Sequence, residues 1–456
     1  MTVNGLNAGI VGDGRTIVAI ATAPGRGALA LVRASGPGVR ILALTLLEPA
    51  PTVPRRATYC MVRNANGEVI DEVVATFFPA PHSFTGEDLL EVSSHGGLIV
   101  PMAVLAAAIH AGAREALPGE FTRRAVLNGK LDVLQAEAIA DLVDARSSAS
   151  HRLALRQLDG GLSHRIDALR VRILGLEALL AYDIDFPEED DGPIPRVRIE
   201  TCAMELIESL DLLIATGDQG TLVHDGALVV LAGAPNAGKS SLFNSLLGET
   251  RAIVTAVPGT TRDAIEAMLD LPGWPLRLVD TAGLRPTEDV VERLGLEASA
   301  RYLGKAAIVL ACVDSPEAME VMGSIRDSTS GSIIVVATKA DIVSESFQKT
   351  ADVAVSAHTG AGLTHLLETI EARLASARGV PMLDAPVLTR ARHTIAVREA
   401  KQQLTEFVVA WRDDLLPASV AATHVRAAGD ALSELIGLVG VDDVLDAVFR
   451  SFCVGK

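Results

Sequence analysis

Glycine, lysine and serine residues near the middle of the chain have a spacing that suits phosphate binding. An apolar run at residues 228–232 is followed by Gly233, and then by Gly238, Lys239 and Ser240. The glycines allow the backbone to wrap a phosphate chain with its N–H groups pointing inward, and the next helix adds its dipole. Lys239 would reach the β- and γ-phosphates, and the Ser240 hydroxyl would ligate Mg²⁺. The spacing predicts a P-loop, with an ordinary glycine turn as the alternative.

Two later motifs contain groups that suit Mg²⁺ and a γ-phosphate. Residues 259–263 (Gly-Thr-Thr-Arg-Asp) place hydroxyls on a loop, where Thr261 could become the second protein ligand of Mg²⁺. Residues 280–283 (Asp-Thr-Ala-Gly) follow a predicted strand. There Asp280 would lie near Mg²⁺ through a water molecule, and the Gly283 N–H would meet the γ-phosphate. Each motif alone occurs often by accident, so their order along the chain matters.

The last motif indicates which base is bound. Residues 338–341 (Thr-Lys-Ala-Asp) follow a predicted strand, and the Asp341 carboxylate can accept hydrogen bonds from N1–H and N2–H₂ of guanine, a donor pair that adenine lacks. Ser356 and Ala357 would close the base site. Guanine-nucleotide proteins usually have Asn where this chain has Thr338, so we expect weaker affinity but unchanged specificity. The ordered motifs, each at the end of a predicted strand, together predict a guanine-nucleotide site.

The group that positions the attacking water is not obvious from these motifs. Many GTPases have a glutamine directly after the second motif, but here the residue is Leu284, which cannot orient water. Some other group must do so. The following segment offers four carboxylates, namely Glu288, Asp289, Glu292 and Glu297.

The elements that position these residues divide the chain into three parts. Residues 1–128 mix strand and helix signals and indicate a compact α+β domain, whereas residues 223–380 alternate strands and helices as a parallel α/β sheet does. Residues 129–222 and 381–456 have helical periodicity. We therefore predict that the α/β section is inserted into one discontinuous helical domain. Residues 217–226 are expected to be a linker into the α/β section.

Composition excludes several classes of protein. The formal net charge of −17 argues against a general nucleic-acid coat, so any RNA contact must be confined to one face or borrowed from a partner. Four scattered cysteines without C-x-x-C or metal-ligand spacing predict a reduced, cytoplasmic protein. The N-terminus does not have the pattern of a signal peptide, and the most apolar stretch, residues 98–109, is shorter than a membrane span.

Short motifs outside the α/β section complete a recognisable pattern. They are Pro-Gly-Arg-Gly at 24–27, Phe-Thr-Gly-Glu-Asp at 84–88, Pro-Gly-Glu-Phe at 118–121, Leu-Asn-Gly-Lys-Leu-Asp at 127–132, Gln-Ala-Glu-Ala-Ile at 135–139 and the terminal Phe-Cys-Val-Gly-Lys at 452–456. With these motifs and the P-loop set, the chain closely resembles the MnmE (TrmE) family of tRNA-modification GTPases. The resemblance covers essentially the whole chain from about residue 16.

The resemblance implies an architecture and a set of partners. It implies an N-terminal α+β folate-binding domain, a discontinuous all-α helical domain and an inserted P-loop GTPase (G) domain with a mostly parallel sheet. It also implies a homodimer joined through the N-terminal domain, and a MnmG (GidA)-type flavoprotein in a heterotetramer or larger complex. Together they would add a carboxymethylaminomethyl-type group at C5 of the wobble uridine of certain tRNAs. The one-carbon unit would come from a 5-formyl- or methylene-tetrahydrofolate derivative.

The resemblance also assigns site residues at matching positions. The folate site would contain Arg33, Glu91, Lys130 and Lys456, although Arg33 or Lys130 alone would be interpreted as a surface salt bridge. Glu292 would be the catalytic acid that orients the attacking water. GTP hydrolysis would be stimulated by K⁺ as the G domains of two copies pair, with the ion in the place of an arginine finger. The K⁺ ligands would be Asn236, Thr255, Val257 and Thr260.

The predicted nucleotide site is larger than its ion ligands. Mg²⁺ would be held by Ser240 and Thr261. The full set predicted to bind GTP or GDP is Asn236, Ala237, Gly238, Lys239, Ser240, Ser241, Thr255, Ala256, Val257, Pro258, Gly259, Thr260, Thr261, Asp280, Thr281, Ala282, Gly283, Thr338, Lys339, Ala340, Asp341, Ser356, Ala357 and His358.

Two other functions compete with tRNA modification. One is a ribosome-assembly or regulatory GTPase switch without tRNA chemistry, which would have the same P-loop motifs. A strongly basic RNA-binding appendage would favour it, and none is visible in the sequence. The other is a scaffold with a vestigial site, which the intact Lys239, Ser240, Asp280 and Asp341 disfavour. Cys453 in the terminal motif is interpreted either as a small packing residue or as a reactive thiolate.

Overall fold

The computed structural model describes residues 14–185, 195–249, 265–271, 274–280, 300–379, 384–412, 417–438 and 455. The chain divides into two compact units. One comprises Met1–Ala140 with Ser433–Lys456, and the other comprises Asp141–Leu432.

A seven-stranded sheet forms the first unit. Its strands are β1 (Ile17–Ile20), β2 (Leu29–Ser35), β3 (Leu47–Glu48), β4 (Thr58–Arg63), β5 (Val69–Phe78), β6 (Leu89–His95) and β7 (Arg114–Glu115). Their order is β3-β4-β5-β6-β2-β1-β7, with antiparallel pairing except between β1 and β7. The accompanying helices are α1 (Val39–Leu46), α2 (Ile99–His110), α3 (Glu120–Leu127) and α4 (Val133–Asp144), in which the chain passes to the second unit. This mixture confirms the predicted α+β class.

The second unit contains a six-stranded, mostly parallel sheet. Its strands are β8 (Ala227–Gly233), β9 (Ile265–Asp270), β10 (Pro275–Asp280), β11 (Ile308–Val313), β12 (Ser332–Ala337) and β13 (Val353–Ala354). The order is β13-β12-β11-β8-β10-β9, and only the β9–β10 pair is antiparallel. All six residues of β11 are buried, as is typical of a central parallel strand. The helices of this section are α9 (Lys239–Glu249), α10 (Met322–Ser328), α11 (Glu345–Gln348) and α12 (Leu363–Arg378).

Helices from before and after this sheet pack on one another. Before it lie α5 (Ser148–Leu158), α6 (Gly161–Asp185), α7 (Arg196–Ile214) and α8 (Gly217–Asp225), and after it lie α13 (Ala391–Arg412) and α14 (Ala418–Leu435). Helix α7 packs extensively against α13. The Arg196 guanidinium lies 4.5 Å from the ring centroid of Trp411, which stacks on Phe407. The two sides of the α/β section therefore share one helical layer.

The prediction of a linker at residues 217–226 was wrong, because these residues form α8. A Cβ atom on Gly220 would lie 2.1 Å from the backbone oxygen of Leu388, and one on Gly217 would lie 2.9 Å from the Thr394 hydroxyl oxygen. The two glycines therefore permit close approach of another chain segment. The sequence pattern does not distinguish this use of glycine from flexibility.

Membrane and cysteine expectations can be compared with the described residues. Within them, no helix is both long and apolar enough to cross a bilayer. Cys60, Cys202 and Cys312 carry free thiols there. Burial raises the pKa of Cys312 to about 12, so this side chain stays protonated and acts as a small apolar group in the core packed on the sheet.

A charged cluster stands where the helical layer leads into β8. The imidazole of His224 lies between two carboxylates, with Nε2 3.0 Å from Asp141 Oδ1 and Nδ1 2.6 Å from Asp225 Oδ1. Arg390 also contacts Asp141. The hydrogen bonds to Asp141 and then to Asp225 raise the pKa of His224 from 6.5 to about 9. His224 is therefore a cation at neutral pH, and it joins α8 to Asp141 of α4, which Arg390 also contacts.

We expect His224 to make the stability of the second unit depend on pH. Because its folded-state pKa is raised, the stabilisation is complete below about pH 6.5 and is lost as the pH rises through about 9, by up to about 3 kcal/mol. Thermal unfolding from pH 6 to 9.5 should show a steeper loss of stability for the wild type than for His224→Gln. The exposed His151→Gln variant is the matched control. Parallel pH profiles for the wild type and His224→Gln would contradict this assignment.

Candidate functional site

The predicted P-loop is the turn between β8 and α9. Backbone φ angles are positive at Gly233 (144°), Asn236 (63°) and Gly238 (79°), a region that glycine, and to a lesser extent asparagine, tolerates. A Cβ atom on Gly233 would lie only 2.3 Å from the backbone oxygen of Cys312 in β11. Glycine is thus required where the loop leaves the sheet, and the loop opens toward the first turn of α9, whose N–H groups have no partner within the helix.

Lys239 is folded back over the start of the loop. Its Nζ donates hydrogen bonds to the backbone oxygens of Gly233 at 2.9 Å and Ala234 at 2.8 Å, and the residue is only 7% exposed. The ammonium group is therefore fixed beside the positive end of α9. A buried cation and helical N–H groups at one place form an environment that favours a phosphate.

The described part of the predicted Mg²⁺ site consists of a hydroxyl and a carboxylate. Ser240 lies in the first turn of α9, and Asp280 ends β10 with only 1% of its surface exposed. In the strand register Asp280 is paired with Leu231, two residues before the P-loop begins. Both side chains supply oxygen, the donor that Mg²⁺ prefers, so the residues fit this ion.

The base-recognition motif follows β12 and is held in place by a serine. Asp341 Oδ1 accepts a hydrogen bond of 2.6 Å from the Ser356 hydroxyl, and the Ala340 N–H donates to the Val355 backbone oxygen at 3.0 Å. The bond from Ser356 holds the pKa of Asp341 below its usual value. The carboxylate is therefore ionised at neutral pH and can accept two N–H donors on one edge of a base.

A cavity of about 160 Å³ lies between this motif and the P-loop. Its lining combines residues from the P-loop and α9 with residues from the two loops after β12 and β13. They are Gly238, Ser241, Leu242, Thr338, Lys339, Asp341, Ile342, Val355, Ala357 and His358. Seven of the ten belong to the predicted nucleotide set, so separate sequence motifs meet around one space.

Thr338 links the two halves of this site directly. Its hydroxyl donates a 2.7 Å hydrogen bond to the backbone oxygen of Ala237 in the P-loop, and its N–H donates to the Val313 backbone oxygen at 2.8 Å. The residue is 3% exposed. Threonine therefore retains a contact to the neighbouring loop, but with one hydroxyl hydrogen where an asparagine amide has two.

Sequence reasoning missed two residues that support the base site. Lys339 Nζ lies 2.6 Å from Asp314 Oδ2, and the Ser245 hydroxyl of α9 donates to the backbone oxygen of Ala357 at 3.0 Å. Asp314 directly follows β11, so the rule that parallel strands end at one edge could have identified it. No comparable signal marks Ser245, because its partner is a backbone atom 112 residues away.

In the first unit, two residues predicted to bind folate are paired with each other. Arg33 in β2 stands opposite Glu91 in β6, and its Nε and a terminal nitrogen donate to Glu91 Oε1 at 3.0 and 2.7 Å. The guanidinium carbon lies 5.5 Å from the ring centroid of Phe84 and 5.9 Å from that of Phe121. A partly exposed ion pair against two aromatic rings can offer both charge and a flat apolar surface.

The other folate residues are described only in part. The stem of Lys130 packs on Gly86, where an added Cβ would lie 3.3 Å from the lysine Cγ. Lys456 lies outside the described residues, but its neighbour Gly455 is buried, and a Cβ there would be 2.7 Å from the backbone oxygen of Ile20. Strand β1 pairs with the strand that carries Arg33. Gly455 is thus next to β1, which lies between it and the Arg33 strand in the pairing order.

A buried charge network joins two of the short motifs of this unit. Arg124 donates to Glu87 Oε2 and Glu120 Oε1, both at 3.0 Å, and Arg114 also binds Glu120, whose side chain is fully buried. Burial would raise the pKa of Glu120, but hydrogen bonds from Arg114, the Leu117 N–H and Arg124 outweigh it and hold the pKa below its usual value. The motifs at 84–88 and 118–121 therefore form one structural unit.

Several predicted site residues lie outside the described part of the chain. They include Glu292 as the catalytic acid, Thr255, Val257 and Thr260 as K⁺ ligands, Thr261 as the second Mg²⁺ ligand, and Lys456. The remaining members of the nucleotide set outside it are Ala256, Pro258, Gly259, Thr281, Ala282 and Gly283, and the same holds for Leu284 and Cys453.

Comparison with protein families gives two matches that together cover nearly the whole chain. Residues 133–453 match the family described as MnmE helical domain, and residues 16–130 match the one described as GTP-binding protein TrmE N-terminus. The junction between the two matches lies at the beginning of α4.

Full-length relatives and one solved structure are also similar. The tRNA modification GTPase MnmE of Bordetella parapertussis is 42% identical over 448 residues, covering 96% of this chain and 99% of the relative. The protein of the same name from Aquifex aeolicus is 39% identical over 451 residues, covering 96% and 99%. The G domain of the T. maritima FeoB iron transporter is 30% identical, covering 32% of this chain and 98% of that one with a TM-score of 0.26.

We expect the Thr338 hydroxyl to hold the P-loop in the conformation that binds the nucleotide. Thr338→Val keeps the shape but leaves the buried Ala237 oxygen without this donor, at a cost of about 1–3 kcal/mol, or a roughly 5- to 150-fold weaker Kd for GDP. Thr338→Asn, which supplies a second donor, should bind GDP at least as tightly as the wild type. Fluorescent GDP titration measures both, with Thr350→Val as control. An unchanged Kd for Thr338→Val would contradict the assigned role.

Proposed function

Because the chain belongs to the MnmE family of tRNA-modification GTPases, we propose that it hydrolyses GTP to drive modification of tRNA. Identity of about 40% runs over nearly the entire length of this chain and of its relatives, so all parts of those proteins have a counterpart here. We further propose the division into an N-terminal domain at 1–128, a G domain at 223–380, and helical parts at 129–222 and 381–456.

One observation gives the strongest support for GTP as the bound nucleotide. The ionised Asp341 carboxylate, held by Ser356, faces a cavity that Gly238 of the P-loop also lines. An acceptor pair at this place matches the N1–H and N2–H₂ donors of guanine, and it opposes the acceptor at N1 of adenine. The Lys239 ammonium and the start of α9 then suit the phosphates, with Mg²⁺ held by Ser240 and Thr261 to neutralise phosphate charge.

We propose that the first unit binds a 5-formyl- or methylene-tetrahydrofolate derivative as the one-carbon source. The Arg33–Glu91 pair supports this, because it can match the donors and acceptors of a pterin edge while Phe84 and Phe121 flank the guanidinium. Lys130 and Lys456 suit the carboxylates of the folate tail. Calorimetric titration with 5-formyltetrahydrofolate tests this, and the absence of binding would contradict it.

The reaction we propose adds a carboxymethylaminomethyl-type group at C5 of wobble uridine, together with a MnmG (GidA)-type flavoprotein. The working assembly would contain a homodimer of this chain within a heterotetramer or larger complex, in the cytoplasm. Support comes from the family membership and from the folate-suited residues of the first unit. The formal charge of −17 is consistent with tRNA contacts confined to one face or shared with the partner.

For hydrolysis we propose a cycle stimulated by K⁺, in which G domains of two copies pair. The amide of Asn236 is exposed on the P-loop at a φ of 63°, where it can offer its oxygen to a cation beside the phosphates. Glu292 would orient the attacking water, a role that Leu284 cannot perform. Thr255, Val257 and Thr260 would complete the K⁺ ligands.

Nucleoside analysis of tRNA from cells that lack the protein tests the proposed function. We expect C5-modified wobble uridines to disappear, to return with the wild-type chain, and to remain absent with Lys239→Ala, which cannot bind the phosphates. The exposed Lys349→Ala in the same section is the matched control and should restore modification. Unaltered wobble uridines would instead favour a ribosome-assembly or regulatory GTPase switch.

Hydrolysis in KCl and NaCl tests the proposed cycle. The wild type should hydrolyse GTP faster in K⁺, and Asn236→Gly, which keeps the positive φ but removes the amide, should lose this preference. Glu292→Ala should lose hydrolysis, by about 10²-fold or more, with GTP binding nearly unchanged. Equal rates of the wild type in both salts would exclude the K⁺ ligand role, and parallel loss of binding and hydrolysis in Glu292→Ala would exclude the catalytic role.

A further inference from the structure

An aspartate of the G-domain sheet binds the first turn of a helix in the helical layer. The carboxylate of Asp270, the last residue of β9, accepts the Ser148 N–H at 3.0 Å on Oδ1 and 2.9 Å on Oδ2. The Ser148 hydroxyl donates to Oδ2 at 2.7 Å. Asp270 and Ser148 are 122 residues apart, so this contact joins two separate parts of the chain.

This contact is not the cap that α5 needs in order to form. Ser147 is the N-cap residue, and it forms a capping box with Ser150: the Ser150 N–H donates to the Ser147 hydroxyl at 3.0 Å, and the Ser147 N–H donates to the Ser150 hydroxyl at 3.2 Å. Asp270 adds a negative charge from outside, at the end of the helix where the dipole favours it. The bond to Asp270 can therefore be lost without loss of the cap.

The position of β9 links this contact to the nucleotide site. The strand forms one edge of the sheet and begins at Ile265, two residues after the end of the motif at 259–263, while its partner β10 ends at Asp280. Glu266 of β9 accepts a 2.8 Å hydrogen bond from the hydroxyl of Tyr302. In the sequence, Tyr302 comes 19 residues after the second motif, which ends at Gly283. Glu266 and Asp270 are four residues apart and so lie on one face of the strand. This edge strand thus follows the first motif in the sequence, and its Ile265 pairs with Asp280, where the second motif begins.

Helix α5 is in turn attached to the segment that returns from the sheet to the helical layer. Arg152 lies 2.7 Å and Arg156 3.5 Å from the carboxylate oxygens of Asp384. On its buried side, Leu153 belongs to the same apolar cluster as Trp274, which precedes β10. A displacement of the β9–β10 hairpin would therefore be transmitted to α5, which packs against the sheet and forms ion pairs with Asp384.

We propose that Asp270 is a positioning residue that transmits the nucleotide state from β9 to α5, and this inference rests on the proposed GTPase function. A contact can couple two sites only if its free energy differs between the two states. The charge-assisted bonds from Ser148 to Asp270 can meet this requirement. Their strength falls steeply when a small shift of β9 changes the donor–acceptor distance or angle. The capping box consists of bonds between Ser147 and Ser150 and includes no residue of β9, so we expect no such dependence there.

Hydrogen–deuterium exchange of the full-length protein tests the proposal, with GDP and with a non-hydrolysable GTP analogue. In the wild type, exchange at the first turn of α5 should differ between the two nucleotides by about five-fold or more. Asp270→Ala should abolish this difference while hydrolysis of GTP persists. The matched control is Ser147→Ala, which weakens the helix cap and should speed exchange equally in both states, so that the difference remains. Ser148→Ala, which removes only the hydroxyl bond, should reduce the difference in part.

Reciprocity supplies a second measurement. Coupling acts equally in both directions. Asp270→Ala should therefore change the ratio of the GTP and GDP dissociation constants by the factor that it removes from the exchange difference at α5, whereas Ser147→Ala should leave that ratio unchanged. A nucleotide-dependent difference in α5 that survives Asp270→Ala would overturn the inference and leave the proposed function intact, as would a wild type whose α5 exchanges equally with both nucleotides. A wild type that binds neither nucleotide would overturn both.

Discussion

The nucleotide site depends on one geometric constraint, which is that the parallel strands β8, β10, β11 and β12 end at the same edge of their sheet. This places the P-loop beside the base-recognition loop, although the two are about a hundred residues apart in the chain. The hydrogen bond from Thr338 to Ala237 then fixes the distance between them. A phosphate-binding loop and a base-binding carboxylate are useful only when this distance matches one nucleotide, so the bond supports both.

The sequence indicated which residues could meet around the cavity better than it indicated the contacts that hold them there. Gly233, Lys239 and Asp341 could be identified because their spacing has a direct chemical meaning and because the strands before them are plainly apolar. The bond from Asp270 to Ser148 could not, because a carboxylate accepting backbone N–H groups 122 residues away leaves no pattern in the sequence. The helix at Gly217–Asp225 was missed for a related reason, since glycines that permit close packing resemble glycines that provide flexibility.

In the first unit, ion pairs bring the candidate site residues together, whereas in the second unit the common edge of parallel strands does so. Arg124 bridges Glu87 and Glu120, and Arg33 is paired with Glu91 across β2 and β6, so that the short motifs of this unit meet through ion pairs. Such pairs are costly to bury unless every member is hydrogen-bonded, and removal of one partner leaves a charge without compensation. The motifs at 84–88 and 118–121 lie in a loop before β6 and at the start of α3, and these ion pairs connect them. This arrangement leaves the Arg33–Glu91 pair, at the partly exposed face, as the group available to a ligand.

The cavity beside Asp341 should select guanine, and calorimetric titration of the full-length protein with GDP and with ADP tests this selection most directly. The phosphates and the P-loop contribute equally to both ligands, so any difference reports on the base alone. A bound base would shield the Asp341 carboxylate from water, and a base without the matching donors would leave that carboxylate unpaired. We therefore predict that GDP binds at least about 10³-fold more tightly than ADP. Equal affinities for GDP and ADP would contradict the account.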